Sequence, residues 1–86
     1  MEEPKLILND GTEIVNGSAW NVRGDLWVTY KGGTFADAVA IALDHEKTSC
    51  ITYEHEGESD VFEGFTDCTS VNLDLAGNIT IILRRE

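Results

Sequence analysis

The sequence predicts an α+β domain: an antiparallel, strongly twisted or rolled sheet of seven to eight short strands with one helix, at about residues 34–46, packed on it. Three observations predict this class. Short apolar segments with a period of two occupy both halves of the chain, turn signals containing Gly, Asn or Asp separate them, and one segment alone has the helical period. At 86 residues and 42% hydrophobic composition, the chain makes a single domain, residues 1–86, with one core.

The first half of the chain contains four strand patterns, each followed by a turn signal. The predicted strands are Lys5–Leu8, Thr12–Val15, Ser18–Val22 and Leu26–Lys31. Glycine stands in the turns after the first three of these strands, and Gly and Asn accept the positive φ that tight hairpins need. We therefore expect antiparallel neighbours in this half.

The loop after the third strand decides the register of two tryptophans. A two-residue loop, Arg23-Gly24, would place Trp20 opposite Trp27, whereas a three-residue loop would place Val28 opposite Trp20. A slip of one residue turns every side chain of a strand to the other face of the sheet. The sequence leaves both registers open. Most aromatic side chains of so small a domain belong to the core, and a tryptophan on an exposed face would mark an interface instead.

One helix is expected between the two groups of strands. Thr34 is a good N-cap, and Asp37 three residues later resembles a capping box. The pattern predicts that the helix fades between Asp44 and Lys47. The apolar residues at helical spacing are Phe35, Ala38, Val39, Ala42 and Leu43.

The second half of the chain returns to the period of two. The predicted strands are Ser49–Glu56, Asp60–Thr66, Val71–Leu75 and Ile79–Leu83. Gly64 indicates a bulge or a bend in the second of these. With a three-residue turn at 76–78, the apolar residues of the last two strands would form three cross-strand pairs on one face.

The charge and the apolar pattern exclude two kinds of partner. A net charge of −10 opposes direct binding to nucleic acid through phosphates and binding to an anionic membrane surface. The longest apolar run is Ala38 to Leu43, far below the roughly 20 residues of a membrane-spanning helix. The amino terminus has no signal-peptide pattern. We therefore expect a cytoplasmic protein, with Cys50 and Cys68 as reduced thiols.

No sequence motif marks a catalytic, cofactor or metal site. The candidates for nucleophilic catalysis or metal binding are Cys50, Cys68, His45 and His55, and none has the spacing of a nucleophile elbow or of paired zinc ligands. A glycine-rich phosphate loop and an EF-hand calcium loop are also missing from the sequence. The sequence thus predicts a chain that is not an enzyme and uses no cofactor or metal.

An acidic segment is the one candidate interaction surface. No Lys or Arg occurs between Lys47 and Arg84. The acidic hairpin, as we name it, is the predicted strand pair around Gly57 with the carboxylates Glu54, Glu56, Glu58, Asp60 and Glu63. One interpretation is a solvated loop that keeps the protein soluble and protects an edge strand. The other is an electronegative docking surface for a basic partner.

Three segments resemble a known group of proteins. They are 6–14, the pair 46–53 and 62–66, and 77–85, the last reading Gly-Asn-Ile-Thr-Ile-Ile-Leu-Arg-Arg. They are similar to small β-rich proteins of phages and prophages of Gram-positive bacteria, which are often encoded among virion morphogenesis genes. This resemblance implies a non-enzymatic accessory or structural protein, located in the cytoplasm of a bacterial host or incorporated in a virion.

Two functions follow as hypotheses. The first is a non-catalytic interaction or structural module, phage- or prophage-encoded, that associates with itself or docks in a larger assembly through protein contacts at its sheet edges. Seven or eight short strands in 86 residues leave edges that must be charged, closed or paired. The alternative is an acidic inhibitor that imitates nucleic acid and occupies the basic cleft of a DNA-processing enzyme.

Overall fold

In the computed structural model, which describes residues 3–85, eight antiparallel strands and two short helices share one core. The α+β class predicted from the sequence is confirmed. The strands are β1 (Lys5–Ile7), β2 (Glu13–Val15), β3 (Ser18–Val22), β4 (Asp25–Lys31), β5 (Cys50–His55), β6 (Glu58–Glu63), β7 (Asp67–Leu73) and β8 (Asn78–Arg84). The helices are α1 (Phe35–Leu43) and α2 (His45–Thr48), both between β4 and β5.

The strands divide into two four-stranded sheets instead of one continuous sheet. Sheet A has the order β2-β1-β5-β6 and sheet B the order β3-β4-β8-β7. The chain passes from sheet A to sheet B after β2 and again after β6. The second passage uses Gly64, whose φ of +83° is consistent with the bend predicted there, and β6 therefore ends at Glu63 instead of continuing to Thr66.

The inner faces of the two sheets bury one apolar cluster. Sheet A contributes Leu6 and Ile51. Sheet B contributes the inward-facing apolar residues of β3, β4 and β8. Phe65, in the connection between the sheets, is buried among them. The side chains of sheet B in this core are Ala19, Leu26, Val28, Tyr30, Ile79, Ile81 and Leu83. Because strands expose alternate residues, the other half of each strand forms an outer face.

The predicted helix is two helices with a break at Asp44. Thr34 caps α1 as expected, since its hydroxyl accepts the backbone N–H of Asp37 at 3.1 Å. Asp44 is extended (φ −88°, ψ 98°), and its carboxylate accepts the N–H groups of Glu46 and Lys47 to begin α2. An aspartate whose carboxylate accepts the backbone N–H groups two and three residues later ends one helix and begins the next.

The apolar face predicted for the helix is only partly buried. Ala38 and Ala42 are fully buried in the core, whereas Phe35 and Leu43 are exposed and Val39 is half-buried. A helix of nine residues lies against the inner side of β7 and β8, where Ala38 and Ala42 reach the sheet and Ile41 packs beside them. The prediction of Phe35 and Leu43 as packing residues was therefore wrong.

A two-residue turn sets the register of β3 on β4. Arg23 (φ +52°) and Gly24 (φ +89°) both have positive φ, the backbone of a type I′ turn. Asn21 supports the turn, because its side-chain oxygen accepts the Gly24 N–H at 3.2 Å. The register pairs Trp20 with Trp27, so the first of the two alternatives for this hairpin is the observed one.

The last hairpin has a register different from the predicted one. Val71 pairs with Ile81 and Leu73 with Ile79, while Leu75 is fully exposed at the turn. The cause is Asp74, whose carboxylate accepts two backbone N–H groups and the Asn78 side chain within 3.1 Å. These hydrogen bonds, those from Asn78 first, lower the pKa of Asp74. An Asx-type turn thus replaces the 76–78 turn, and β7 extends back to Asp67 through a bulge.

Tyr30 leaves one buried polar atom without a partner. The side chain is 92% buried, and its hydroxyl oxygen makes no hydrogen bond with any of residues 3–85. Burial, with the nearby charge of Asp37, raises the pKa of this hydroxyl. A buried hydroxyl without a partner costs roughly 1–3 kcal/mol of desolvation free energy.

Tyr30→Phe is therefore expected to keep or raise the free energy of unfolding, by up to about 1 kcal/mol, because it removes only the unpaired hydroxyl. Urea unfolding followed by circular dichroism measures the change. Tyr53→Phe is the control, since that ring is half-buried and we expect no change there. A clear loss of stability in Tyr30→Phe would show that the hydroxyl has a partner.

Candidate interaction surfaces

The centre of the outer face of sheet B is aromatic and uncharged. One row across the four strands contains Trp20, Trp27, Ile82 and Ser70 in register. The neighbouring row contains hydroxyl and amide side chains, which are Ser18, Thr29, Thr80 and Asn72. We call these two rows, with Val22 beside them, the tryptophan face.

The two indole rings form a contiguous pair on this face. Their centroids are 6.4 Å apart and their planes are tilted by 31°. Trp20 is 42% exposed, and Trp27 and Ile82 are half-buried by their neighbours. Helix α1 lies on the opposite side of the sheet, because Ala38 and Ala42 belong to the core. An exposed tryptophan pair is the kind of feature that concentrates binding energy in protein interfaces.

On this side of sheet B the charged residues lie at the ends of the strands, and their charges cancel. Asp25, Asp67 and Arg84 lie at one end, where the Arg84 Nε donates to the Asp25 carboxylate at 3.2 Å. Lys31 lies at the other end. Two acidic and two basic groups sum to zero on this face, in a chain of net charge −10. A charge-depleted aromatic centre with a polar rim is the anatomy of a protein-binding surface.

The outer face of sheet A has a different character. Its strand residues include Lys5, Glu13, Glu54 and Glu63, which are three acids and one base. Lys5 bridges two of these acids, at 2.9 Å from Glu13 and 3.7 Å from Glu54, and its hydrogen bond with Glu13 raises the pKa of the lysine. This face therefore has a net negative charge, in contrast to the tryptophan face.

The acidic hairpin is formed by β5 and β6 around a second type I′ turn. Glu56 (φ +48°) and Gly57 (φ +79°) are the turn residues, and His55 pairs with Glu58. Glu56, Glu58, Asp60 and Glu63 are exposed as expected, while Glu54 is half-buried beside Lys5.

The register separates these carboxylates into two groups. Glu54 and Glu63 lie on the outer face of sheet A, whereas Glu58 and Asp60 lie on the other face with His55. The His55 ring contacts the Asp60 carboxylate at 3.0 Å and stacks on the Tyr53 ring at a centroid distance of 4.4 Å. The hairpin therefore has no single face on which the five carboxylates form a row.

A small open hollow of about 170 Å³ lies at the tip of the hairpin. Its lining is polar and consists of Glu54, His55, Gly57, Glu58 and Ser59. The hollow is smaller than the roughly 300–1,000 Å³ typical of small-molecule sites, and its lining is not apolar as those sites are.

The candidate catalytic residues are not brought together as nucleophile and base. Cys50 and His55 lie on opposite faces of β5, and Cys68 lies in β7 of the other sheet. His45 is exposed in α2. Both cysteines are free thiols. Burial, and then the charge of Asp67, raises the pKa of Cys68, which makes its thiol a weaker nucleophile at neutral pH.

Within residues 3–85, no helix is long and apolar enough to cross a membrane, and no three His, Cys, Asp or Glu side chains group as metal ligands. Comparison with protein-family models, with curated proteins and with solved structures gave no match.

The double substitution Glu56→Gln and Glu58→Gln is expected to leave the melting temperature unchanged or raise it by about 1–3 °C, most at low salt. Neither side chain makes an ion pair among the described residues, so the change removes only repulsion between like charges. Scanning calorimetry at two salt concentrations measures the effect.

Glu54→Gln is the matched control, because it removes one charge of the same hairpin and also the contact with Lys5. We expect no gain from it. A clear loss of stability in the Glu56 and Glu58 double variant would contradict the assignment of both groups to solvent.

Proposed function

We propose that this chain is a non-catalytic interaction module, encoded by a phage or prophage, that docks in a larger assembly or associates with itself. The tryptophan face is its docking surface. The observation that supports the proposal is the row of Trp20, Trp27 and Ile82, which lies on an outer face whose charges cancel in a strongly acidic chain. The proposed setting is the cytoplasm of a bacterial host, with incorporation in a virion among its destinations.

The chemistry of the tryptophan face favours a protein over a nucleic acid as its partner. Burying a tryptophan pair gains about 25 cal/mol per Å² of apolar area, and such rings act as anchors when charged groups surround but do not interrupt them. A nucleic acid would meet the net charge of −10 and no cluster of basic side chains on this face. A protein surface of matching shape meets no such repulsion.

The alternative function, an acidic inhibitor that imitates nucleic acid, has less support. Such an inhibitor needs carboxylates in a continuous row on one side. In the acidic hairpin Glu54 and Glu63 face one way and Glu58 and Asp60 the other. Two of them also contact basic side chains, Glu54 with Lys5 and Asp60 with His55.

The test compares a face variant with a hairpin variant in binding to the products of neighbouring genes. Trp27→Thr keeps a good strand-forming residue and removes the central ring, so we expect the partner's Kd to rise by about tenfold or more. The double variant Glu56→Gln and Glu58→Gln is the control, and we expect its Kd to stay within about twofold. Isothermal titration calorimetry gives both values, and the melting temperature checks that each variant is folded.

The opposite pattern would overturn the proposal. If the hairpin variant loses binding while Trp27→Thr keeps it, the docking surface is the acidic hairpin, and the partner is basic. Raising the salt concentration would then weaken binding steeply, whereas docking on the tryptophan face changes little with salt.

A further inference from the structure

We infer that the free edge of β6 binds an extended basic segment of a partner protein, which adds to sheet A as a fifth strand. β6 forms one edge of this sheet and, among residues 3–85, pairs with β5 alone. The inference goes beyond the proposed function, because it assigns a second binding surface, on the other sheet from the tryptophan face. Strand addition gains affinity from main-chain hydrogen bonds and specificity from alternate side chains.

The first argument is that the edge of β6 is open. All its residues are exposed except Phe62, which is half-buried, and β5 is the one helix or strand of residues 3–85 that lies close along it. Val61, near its centre, is 55% exposed although it is apolar. Arg85 covers only the end of the edge, where its Nε donates to the carbonyl oxygen of Glu63 at 3.2 Å. A partner strand thus has access to residues 58–62.

The second argument is the direction of the backbone groups. The Gly64 N–H donates to the carbonyl oxygen of Ser49 at 3.0 Å, so this pair continues the hydrogen-bonded set of the β5–β6 ladder. Because hydrogen-bonded and non-hydrogen-bonded pairs alternate, the N–H and C=O groups of Ser59 and Val61 point away from β5 to the open edge. The Glu63 carbonyl oxygen belongs to the same outward set, which agrees with its bond to a side chain outside the ladder.

The third argument is the placement of charge. β6 carries Glu58, Asp60 and Glu63 and no Lys or Arg. The first two of these acids lie on one face of the hairpin and the third on the other. This division suits an added strand, whose side chains also alternate between the two faces. Basic residues opposite the acids form favourable cross-strand pairs, and a β-branched residue suits the position opposite Val61.

The same charges oppose a second copy of this chain at the edge. Pairing of two β6 strands would bring together three carboxylates from each, between chains that carry a charge of −10 apiece. Acidic side chains on an edge strand prevent its pairing with a like strand. The edge therefore repels itself and attracts a basic strand.

The first experiment titrates the native chain with a capped peptide, Lys-Val-Val-Lys-Thr-Lys, and follows amide hydrogen exchange by NMR. Antiparallel to β6, this peptide places a lysine opposite each acid and a valine opposite Val61. In the free chain the amides of Ser59 and Val61 should exchange fast, and those of Asp60 and Phe62, which bond to β5, slowly. Saturating peptide should slow the first two and leave the other two unchanged.

Two modified peptides separate strand addition from simple attraction between charges. N-methylation of the third and fifth peptide residues removes the N–H groups that would bond to Val61 and Ser59, so we expect the Kd to rise by about tenfold or more. N-methylation of the second and fourth residues is the matched control. Their N–H groups would point away from β6, so the Kd should stay within about threefold.

Variants of the chain test the same edge from the other side. Val61→Pro removes the free N–H near the centre of an edge strand, where proline is tolerated, and should raise the peptide's Kd by about tenfold. Val61→Thr keeps the N–H and a β-branched side chain and should bind as the native chain does. Trp27→Thr should also bind the peptide normally. The melting temperature checks that each variant is folded.

Three results would overturn the inference. The first is a native chain whose amides do not respond to about 1 mM peptide. The second is an equal Kd for the two N-methylated peptides, which would show binding through charge alone. The third is slower exchange at Ser59 and Val61 when the chain is concentrated without peptide, which would show a second copy at this edge. None of these results affects docking on the tryptophan face, which the calorimetric experiment tests separately.

Discussion

One apolar core is shared by two sheets, and this arrangement decides what the rest of the surface can do. Each sheet can bury only one face, so every strand leaves half of its side chains outside. The inner residues of β4 and β8, such as Leu26, Val28 and Ile81, are all buried. The outer faces of both sheets therefore remain available for interactions.

The two outer faces are different because the turns select different registers. The Arg23-Gly24 turn places Trp20 on the same outer face as Trp27, and the pairing of β4 with β8 adds Ile82 to that face. The Glu56-Gly57 turn divides the acids of its hairpin between two sides. A shift of one residue in either turn would reverse these assignments. Positive φ at two short turns thus sets the chemical character of two large surfaces.

Much of the fold could be predicted from local patterns. The period of two, the glycine turns and the Thr34 cap are strong local signals, and seven of the eight strands lie close to their predicted positions. The division into two sheets could not be predicted, because it depends on contacts between distant strands. The start of β7 was also missed, since residues 67–70 are polar and one of them is a bulge.

The candidate surface depended on a register that the sequence left open. Alternation showed that one loop length turns Trp20 and Trp27 to the same side, but not whether that side faces the core. The roles of Asp74 and Asp44 were likewise not visible in the sequence pattern. Each aspartate bonds the backbone just after it, which shifted one hairpin and divided one helix. Such side-chain bonds compete with regular structure and are visible only when the loop geometry is known.

The outward position of Trp20 is the central claim, and acrylamide quenching of tryptophan fluorescence in a Trp27→Phe chain tests it most directly, because Trp20 is then the one tryptophan of the sequence. Trp20 is 42% exposed on the outer face of sheet B. We therefore predict that acrylamide quenches the fluorescence of the folded chain to a large fraction of the extent seen in the unfolded chain. A signal that acrylamide does not quench until the chain unfolds would show a buried indole and would contradict this assignment.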